Sequence, residues 1–457
     1  MHDLSGVLNY IDAERDNALQ RLFDLLRIES ISTDPAYNAQ CTAAADWLVD
    51  DLNSIGFNAT RRDTDGHPMV VAHTPGGTGP HLLFYGHYDV QPVDPLELWH
   101  SDPFAPALED TALGKVIRGR GAADDKGQLM TFIEACRAFK VVSGELPANI
   151  TILLEGEEES GSPSLVPFLK ANADELRCDL ALVCDTGMWN DKTPAICTML
   201  RGMLGEEITI TAADKDLHSG MFGGPAQNPI RVLTKLLAGL HDDSGRVTLP
   251  GFYDDVPPLP EQIAQQWQSL EFDASEFLGA VDLSVVAGEQ NHTALEQIWS
   301  RPTCEFNGIT GGYTGDGFKT VLPSKANCKI SFRLVGQQDP VKIRQSFRQY
   351  IESNLPEDCS VEFADHGASP ATVMSIDNPA FERAREELGR EWETEAVYTG
   401  CGGSIPVVGY FHELLGMESL MIGFGLDDDQ IHSPNEKYNL SSFVKGTRSW
   451  ARVLASL

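Results

Sequence analysis

Basic residues are scarce in this chain of 457 residues: 34 Lys and Arg face 67 Asp and Glu, a formal net charge of −33, and the sequence pI is near 4.6. A surface of that sign repels phosphate, so nucleic acid and anionic membranes are poor partners. Long apolar runs are missing as well. No stretch approaches the roughly 18 to 20 consecutive apolar residues that a membrane-spanning helix needs, and the run around 150–154 is strand-sized. Nine cysteines are scattered from Cys41 to Cys401 without a CxxC pair, which reads as reduced, mostly core thiols. The opening MHDLSGVLNYIDAERD carries acids where a secretion signal would carry a basic segment and an apolar stretch. A cytoplasmic address is therefore expected. No repeat of fixed period and no low-complexity tract is present, and the acidic run Asp427, Asp428 and Asp429 reads as a solvated loop.

What is present is an alternation of short apolar runs with helical patterns. The spacing of Leu19, Leu22, Phe23 and Leu26 predicts a helix over 11–28, and a second runs over 39–55 until Gly56 stops it. Strand-like runs follow at 70–73, 81–87, 149–156 and 179–185, with helices at about 126–141 and 163–171. That order predicts an α/β sheet with helices on its faces. From about 200 to 369 the texture changes to a second, α+β unit: strands EEITITAA, KISFRLV and SVEFADHG, helices near 225 and over 340–353, and a Pro-rich loop over 249–260. The first pattern then resumes with a helix at 379–389, the strand SLMIGFG and a closing helix at 440–454. An inserted domain predicts a cleft at the boundary.

Several outer-domain strands run into metal-ligand residue types. HLLFYG leads into His87 and Asp89; taken alone, these are ordinary turn residues. The loop GRGAADDKGQ places Asp124 and Asp125 before a helix, where either acid could simply cap it. NITILLEG is followed by Glu157, Glu158 and Glu159, three consecutive carboxylates that repel one another unless cations or solvent relieve them. LALVC ends in Asp185, and SLMIGFG leads through the acidic loop to His432. In open α/β sheets the functional crevice lies outside the carboxyl ends of the strands, so five such endings predict convergence on one edge. Histidines with carboxylates and no thiolate suit a catalytic Zn, Mn or Co centre. His87, Asp124, Glu159, Asp185 and His432 exceed the three protein ligands of one catalytic zinc, which suggests two ions, a bridging carboxylate and hydrolysis as the chemistry.

Read together, GHYDVQP, GRGAADDKGQ, LLEGEEESGS, DLHSGMFGG, KTVLPSKA, FRLV, GGSIPV and HSPNEK, in that order from residue 86 to 437, resemble the co-catalytic di-zinc metallopeptidases. That family includes carnosinase, cytosolic nonspecific dipeptidase, aminoacylase, acetylornithine deacetylase and succinyl-diaminopimelate desuccinylase, and the match is closest to the dipeptidase branch. The resemblance implies an α/β fold: a zinc-peptidase-like catalytic domain (1–199 and 370–457) with helices on both faces of a mixed sheet, plus an inserted α+β lid and dimerisation domain (200–369). It implies that His87, Asp124, Glu159, Asp185 and His432 hold two divalent ions per subunit, zinc first, with manganese or cobalt as alternatives. Asp124 bridges and is followed by a cis peptide to Asp125. Asp89 orients His87. Glu158 is the general base that takes the proton from a water activated between the ions and delivers it to the leaving amine.

In the inserted domain, the resemblance implies that His218 reaches across a homodimer to the partner's oxyanion. Thr320, Arg333, His366 and Ser404 would hold the substrate carboxylate end or line the site. Arg333 lies in the apolar strand ISFRLV, where an unpaired guanidinium is unfavourable, so an anion or an internal salt bridge is also expected on physical grounds. One departure concerns substrate anchoring: Gly400 and Cys401 stand where many dipeptidase-branch members carry Arg-Glu. The expected activity is hydrolysis of dipeptides or short peptides with a free carboxylate. An N-acyl amino acid deacylase is the alternative, and a non-catalytic metal-binding scaffold the remote one.

Overall fold

The computed structural model describes residues 3–76, 79–112 and 114–457. The chain divides into two compact units, one of Met1–Thr198, Met374–Thr399 and Tyr410–Leu457, the other of Met199–Val373 and Gly400–Gly409.

The first unit is built on a mixed sheet. Its strands lie in the order Asn58–Arg62, Met69–His73, Asn149–Glu155, His81–His87, Leu180–Val183, Ser419–Met421 and Ala195–Leu200. Asn149–Glu155, His81–His87, Leu180–Val183 and Ser419–Met421 run parallel, so their carboxyl ends share one edge. Strands buried on both faces should be apolar throughout, and 82–87 and 150–155 are buried at every position. Side chains alternate faces along a strand. Phe84 stacks on Phe132 of the helix Lys126–Ser143 with ring centroids 3.8 Å apart, and Trp450 of the helix Leu440–Ser456 closes edge-on at 5.4 Å from Phe132. The next residue, Tyr85, meets Phe411 at 5.8 Å. Both faces are therefore covered, and each fully buried ring of this kind contributes roughly 1.5–3 kcal/mol.

Two expectations are corrected in this unit. The single helix read over 11–28 is two, Leu4–Ala13 and Arg15–Leu26, with Glu14 between them. The strand leading towards Asp124, Gly114–Arg118, belongs to a separate three-stranded sheet with Ala107–Thr111 and Lys437–Asn439. Asp124 therefore reaches its position from outside the main sheet.

The second unit is a four-stranded antiparallel sheet in the order Thr303–Gly311, Lys325–Leu334, Gly202–Thr211, Ser360–Ser369. Lys325–Leu334 alternates, burying Ala326, Cys328, Ile330, Phe332 and Leu334 against the helices Pro229–Ala238 and Pro340–Asn354. Each helix starts with Pro after a capping side chain: Asn228 accepts from the Ile230 amide, and Asp339 from the Val341 amide. Between them the short helices Glu261–Ser269, Ala274–Gly279 and Ala294–Trp299 went unread in the sequence, being too brief to show a period. Among the described residues no helix is long and apolar enough to cross a membrane.

Candidate metal centre

The parallel strands deliver their carboxyl-end residues to one place in the first unit. His87 ends its strand fully buried; its Nε2 lies 3.0 Å from Asp124 Oδ1 and 4.0 Å from Asp185 Oδ2. His432 Nε2 lies 3.0 Å from Asp124 Oδ2 and 3.2 Å from Glu159 Oε2. Two candidate ligand groups result, His87 with Asp124 and Asp185, and Asp124 with Glu159 and His432, and in each the ligating atoms all lie within 4.8 Å of one another. Asp124 is shared, one oxygen turned to each group. The peptide from Asp124 to Asp125 is cis.

The surroundings hold these groups in place. Asp89 receives the Glu158 amide at 3.3 Å and the Glu159 amide at 3.0 Å, tying the His87 loop to the glutamate turn. His87 Nδ1 lies 3.2 Å from the Asp89 carbonyl and 3.4 Å from its carboxylate, so the main chain shares in orienting the ring. Gln91 donates to Glu159 Oε2 at 2.7 Å. Asp125 occupies the N-cap position of its helix without capping it through its side chain, and accepts from the His87 amide at 3.1 Å instead.

Charge is crowded here. Burial, then the neighbouring charges of Asp124 and Asp125, holds Asp185 well above the usual carboxylate range. Burial likewise raises Glu158 against the pull of His87, with Glu159 and Asp89 adding to the rise. For Asp124 burial acts in the same sense, but hydrogen bonds to His432 and His87 outweigh it and pull the group below the normal range. Its hydrogen bonds to Asp124 and Glu159 push His432 up to about 10. A donor set of two imidazoles and three carboxylates without thiolate, crowded enough that Asp185 resists ionisation, fits divalent cations.

The other residues singled out in the sequence belong to the second unit. Arg333 Nη1 lies 3.4 Å from Ser404 Oγ, and Ser404 donates to the Arg201 carbonyl at 2.6 Å. Among the described residues Arg333 forms no salt bridge, so the internal ion pair weighed for it is not found. His218 and Thr320 are exposed on neighbouring chain segments, linked by the Ser219 amide donating to the Thr320 carbonyl at 3.1 Å. His366 bonds to Glu207 at 2.8 Å.

Two acids change their reading. Glu157, first of the three consecutive glutamates, is a buried turn residue that accepts from the His67 and Ser164 amides. Asp429, read as part of a solvated loop, is fully buried and accepts from Lys437 at 2.6 Å. Gln91 and Glu436 touch ligands or their loop and were missed, although both stand inside motifs already singled out, GHYDVQP and HSPNEK.

Paired ligand groups on a shared carboxylate, at the carboxyl edge of a mixed sheet, define a class: hydrolases that work with two neighbouring metal ions. The chain belongs to Peptidase family M20/M25/M40, whose family model matches residues 83–456. It is 30% identical to the Cys-Gly metallodipeptidase DUG1 of Saccharomyces cerevisiae, over 99% of this chain and 98% of that protein. It is 29% identical to the Beta-Ala-His dipeptidase of Homo sapiens, over 98% of this chain and 91% of that one. Among solved structures, the M20 family metallo-carboxypeptidase Sso-CP2 from Sulfolobus solfataricus superposes with a TM-score of 0.83 at 30% identity, covering 96% of this chain and 98% of its own. The chain is accordingly a metallopeptidase, a hydrolase of peptide bonds.

Proposed function

We propose that this protein hydrolyses dipeptides and other short peptides bearing a free carboxylate. The observation that carries the reading is the pair of ligand groups joined by Asp124, with Glu158 next to the ligand-group residue Glu159 in the same turn and close enough to feel the charge of His87. His87, Asp124 and Asp185 would hold one divalent ion and Asp124, Glu159 and His432 the other. Ions held there polarise the scissile carbonyl and bring the pKa of a water towards about 7.

The chain's own groups supply the rest. Asp89 fixes the His87 ring and the Glu158–Glu159 turn together, so that ligand and base keep one geometry. Glu158, its pKa raised by burial, takes the proton of the attacking water and passes it to the leaving nitrogen. Arg333, with Ser404 beside it, is the anchor for the substrate carboxylate; Thr320 and His366 line that end. His218, exposed in its Gly-rich turn, is assigned to the oxyanion of a partner subunit in a homodimer. Zinc is the expected metal, ahead of manganese and cobalt. Nine cysteines, most of them buried, accord with a reducing, cytoplasmic setting.

The experiment is a hydrolysis screen on chelated protein reloaded with each metal, using dipeptides against N-acetyl and N-succinyl amino acids, with light scattering on the same samples. Turnover of dipeptides by a dimer is expected. Turnover confined to N-acyl amino acids would replace the reading by a deacylase, and a fully active monomer would remove His218 from it.

A further inference from the structure

Glu436 lies four residues after His432, has no place among the ligand groups, and is fully buried. Its carboxylate is nevertheless saturated. Oε1 accepts from the Ala123 amide at 2.8 Å and the Asp124 amide at 3.1 Å. Oε2 accepts from the Gly121 amide at 2.9 Å and from Arg120 Nη1 at 2.8 Å. All four donors belong to one loop, 120–124, the loop that ends in the shared Asp124. The main chain joins the same contact, since the Glu436 carbonyl accepts from the Gly119 amide at 3.1 Å.

The shape of that loop depends on the carboxylate. Three amides turned inwards to one side chain form a concave cradle of positive ends that no helix or sheet partner satisfies, and a buried N–H left unpaired is strongly disfavoured. Gly121 sits at φ +82°, and a Cβ there would come within 2.7 Å of Val90, so the turn is closed to other residues. Arg120 is itself buried; it reaches the Pro92 carbonyl at 3.0 Å and lies over the Trp99 ring at 5.3 Å. The other end of the clamp is the segment carrying His432. There Gln430, His432 and Asn435 all adopt left-handed backbone conformations, and Lys437 closes the segment on Asp428 and Asp429.

We infer that Glu436 is a positioning residue for both metal sites at once: it locks the Asp124 loop to the His432 segment and so fixes where the shared carboxylate stands. The inference rests on the two-ion reading above. It makes a specific demand, because Asp124 serves both ligand groups whereas Asp185 and His432 each serve one. Loosening the clamp must weaken the two sites together. It must also change the ligand field at saturation, since Asp124 would meet the ions from an altered position.

The test is a titration of chelated full-length protein with Co2+, following stoichiometry, affinity and the visible d–d spectrum. Glu436→Gln keeps the shape but turns an amide donor towards backbone donors. It is expected to weaken both sites together by about 10- to 100-fold, the range seen when groups supporting metal ligands are removed, and to shift the spectrum of the loaded protein. Arg120→Met removes one donor of the four and should act in the same direction with a smaller loss; it answers the question even where Glu436→Gln does not fold. Glu206→Gln breaks the ion pairs of an equally buried glutamate with Arg344 and Arg348 in the second unit, and should leave Co2+ affinities and spectrum unchanged. Wild-type affinities and spectrum in the first two variants would overturn the inference, as would loss confined to one site. Wild-type protein that binds fewer than two Co2+ would instead overturn the two-ion reading, and the clamp with it.

Discussion

In the first unit the candidate groups hold one another: His87, Asp124, Glu159 and His432 are joined by contacts of 3.0 to 3.2 Å, and loops around them are pinned by Asp89 and Glu436. In the second, an apolar core of Leu204, Ile208, Phe332, Phe347 and their neighbours carries the four-stranded sheet, and the candidate residues His218, Thr320 and His366 are exposed. The sign of the charge differs too. Carboxylates dominate the first cluster, and two of them, Asp185 and Glu158, resist ionisation. In the second unit Ser404 contacts the Arg333 guanidinium and the Arg201 main-chain carbonyl; burial, then the charge of Arg333, lowers the Arg201 side chain to about 10. One unit gathers carboxylates and imidazoles, and the other holds guanidiniums without a carboxylate partner at Arg333 among the described residues.

The largest effect should come from the first unit. Glu158→Gln is expected to cut turnover by about 10²- to 10⁴-fold while leaving metal content at the wild-type level, measured by steady-state kinetics beside elemental analysis. Equal losses of metal and activity would make Glu158 a ligand and blur the division of labour with Glu159. Next, Phe332→Ala empties the centre of the second unit's core, where Phe332 packs 5.4 Å from Phe347. Denaturant unfolding should show a loss of about 3–5 kcal/mol; a loss under 1 kcal/mol would mean the core is not what carries that sheet.

Arg333→Met should lower kcat/KM for dipeptides by about 10- to 100-fold, the worth of a charged hydrogen bond, and barely affect amidated peptides. Equal losses for both would take the carboxylate anchor away from the second unit. Smallest is Glu175. Burial alone would raise it, but hydrogen bonds with His73 at 3.0 Å and Arg62 at 2.9 Å prevail and hold it below the ordinary glutamate range. A depressed folded pKa contributes stability above the unfolded value and loses it as pH falls through the folded one. Glu175→Gln, a partly exposed pair, should therefore lower stability by no more than about 1 kcal/mol at pH 7, and the gap to wild type should close in acid.

Much of this site was legible because apolar strands announce their own ends. HLLFYGH and NITILLEG could only be buried strands, and the polar residues after them had to emerge on one edge. Asp124 was expected at the common edge with the strand ends but arrives from a separate small sheet, since the short strand Gly114–Arg118 has two exposed and two buried residues in succession and no clear period. The three consecutive glutamates could not be sorted by residue type. The turn sorts them: Glu157 points back to bind the His67 and Ser164 amides, and only Glu159 reaches the ligand group. Asp429 and Glu436 were hidden for a similar reason, because a carboxylate satisfied by Lys437 or by backbone amides has the same letter in the sequence as one in water.

The central claim is that Asp124 joins two ion sites. Metal analysis of dialysed wild-type protein and of Asp124→Asn, both loaded with zinc, tests it directly: two ions per chain in the wild type and loss of both in the variant are predicted, whereas one ion in the wild type, or one retained at full affinity in the variant, would contradict it.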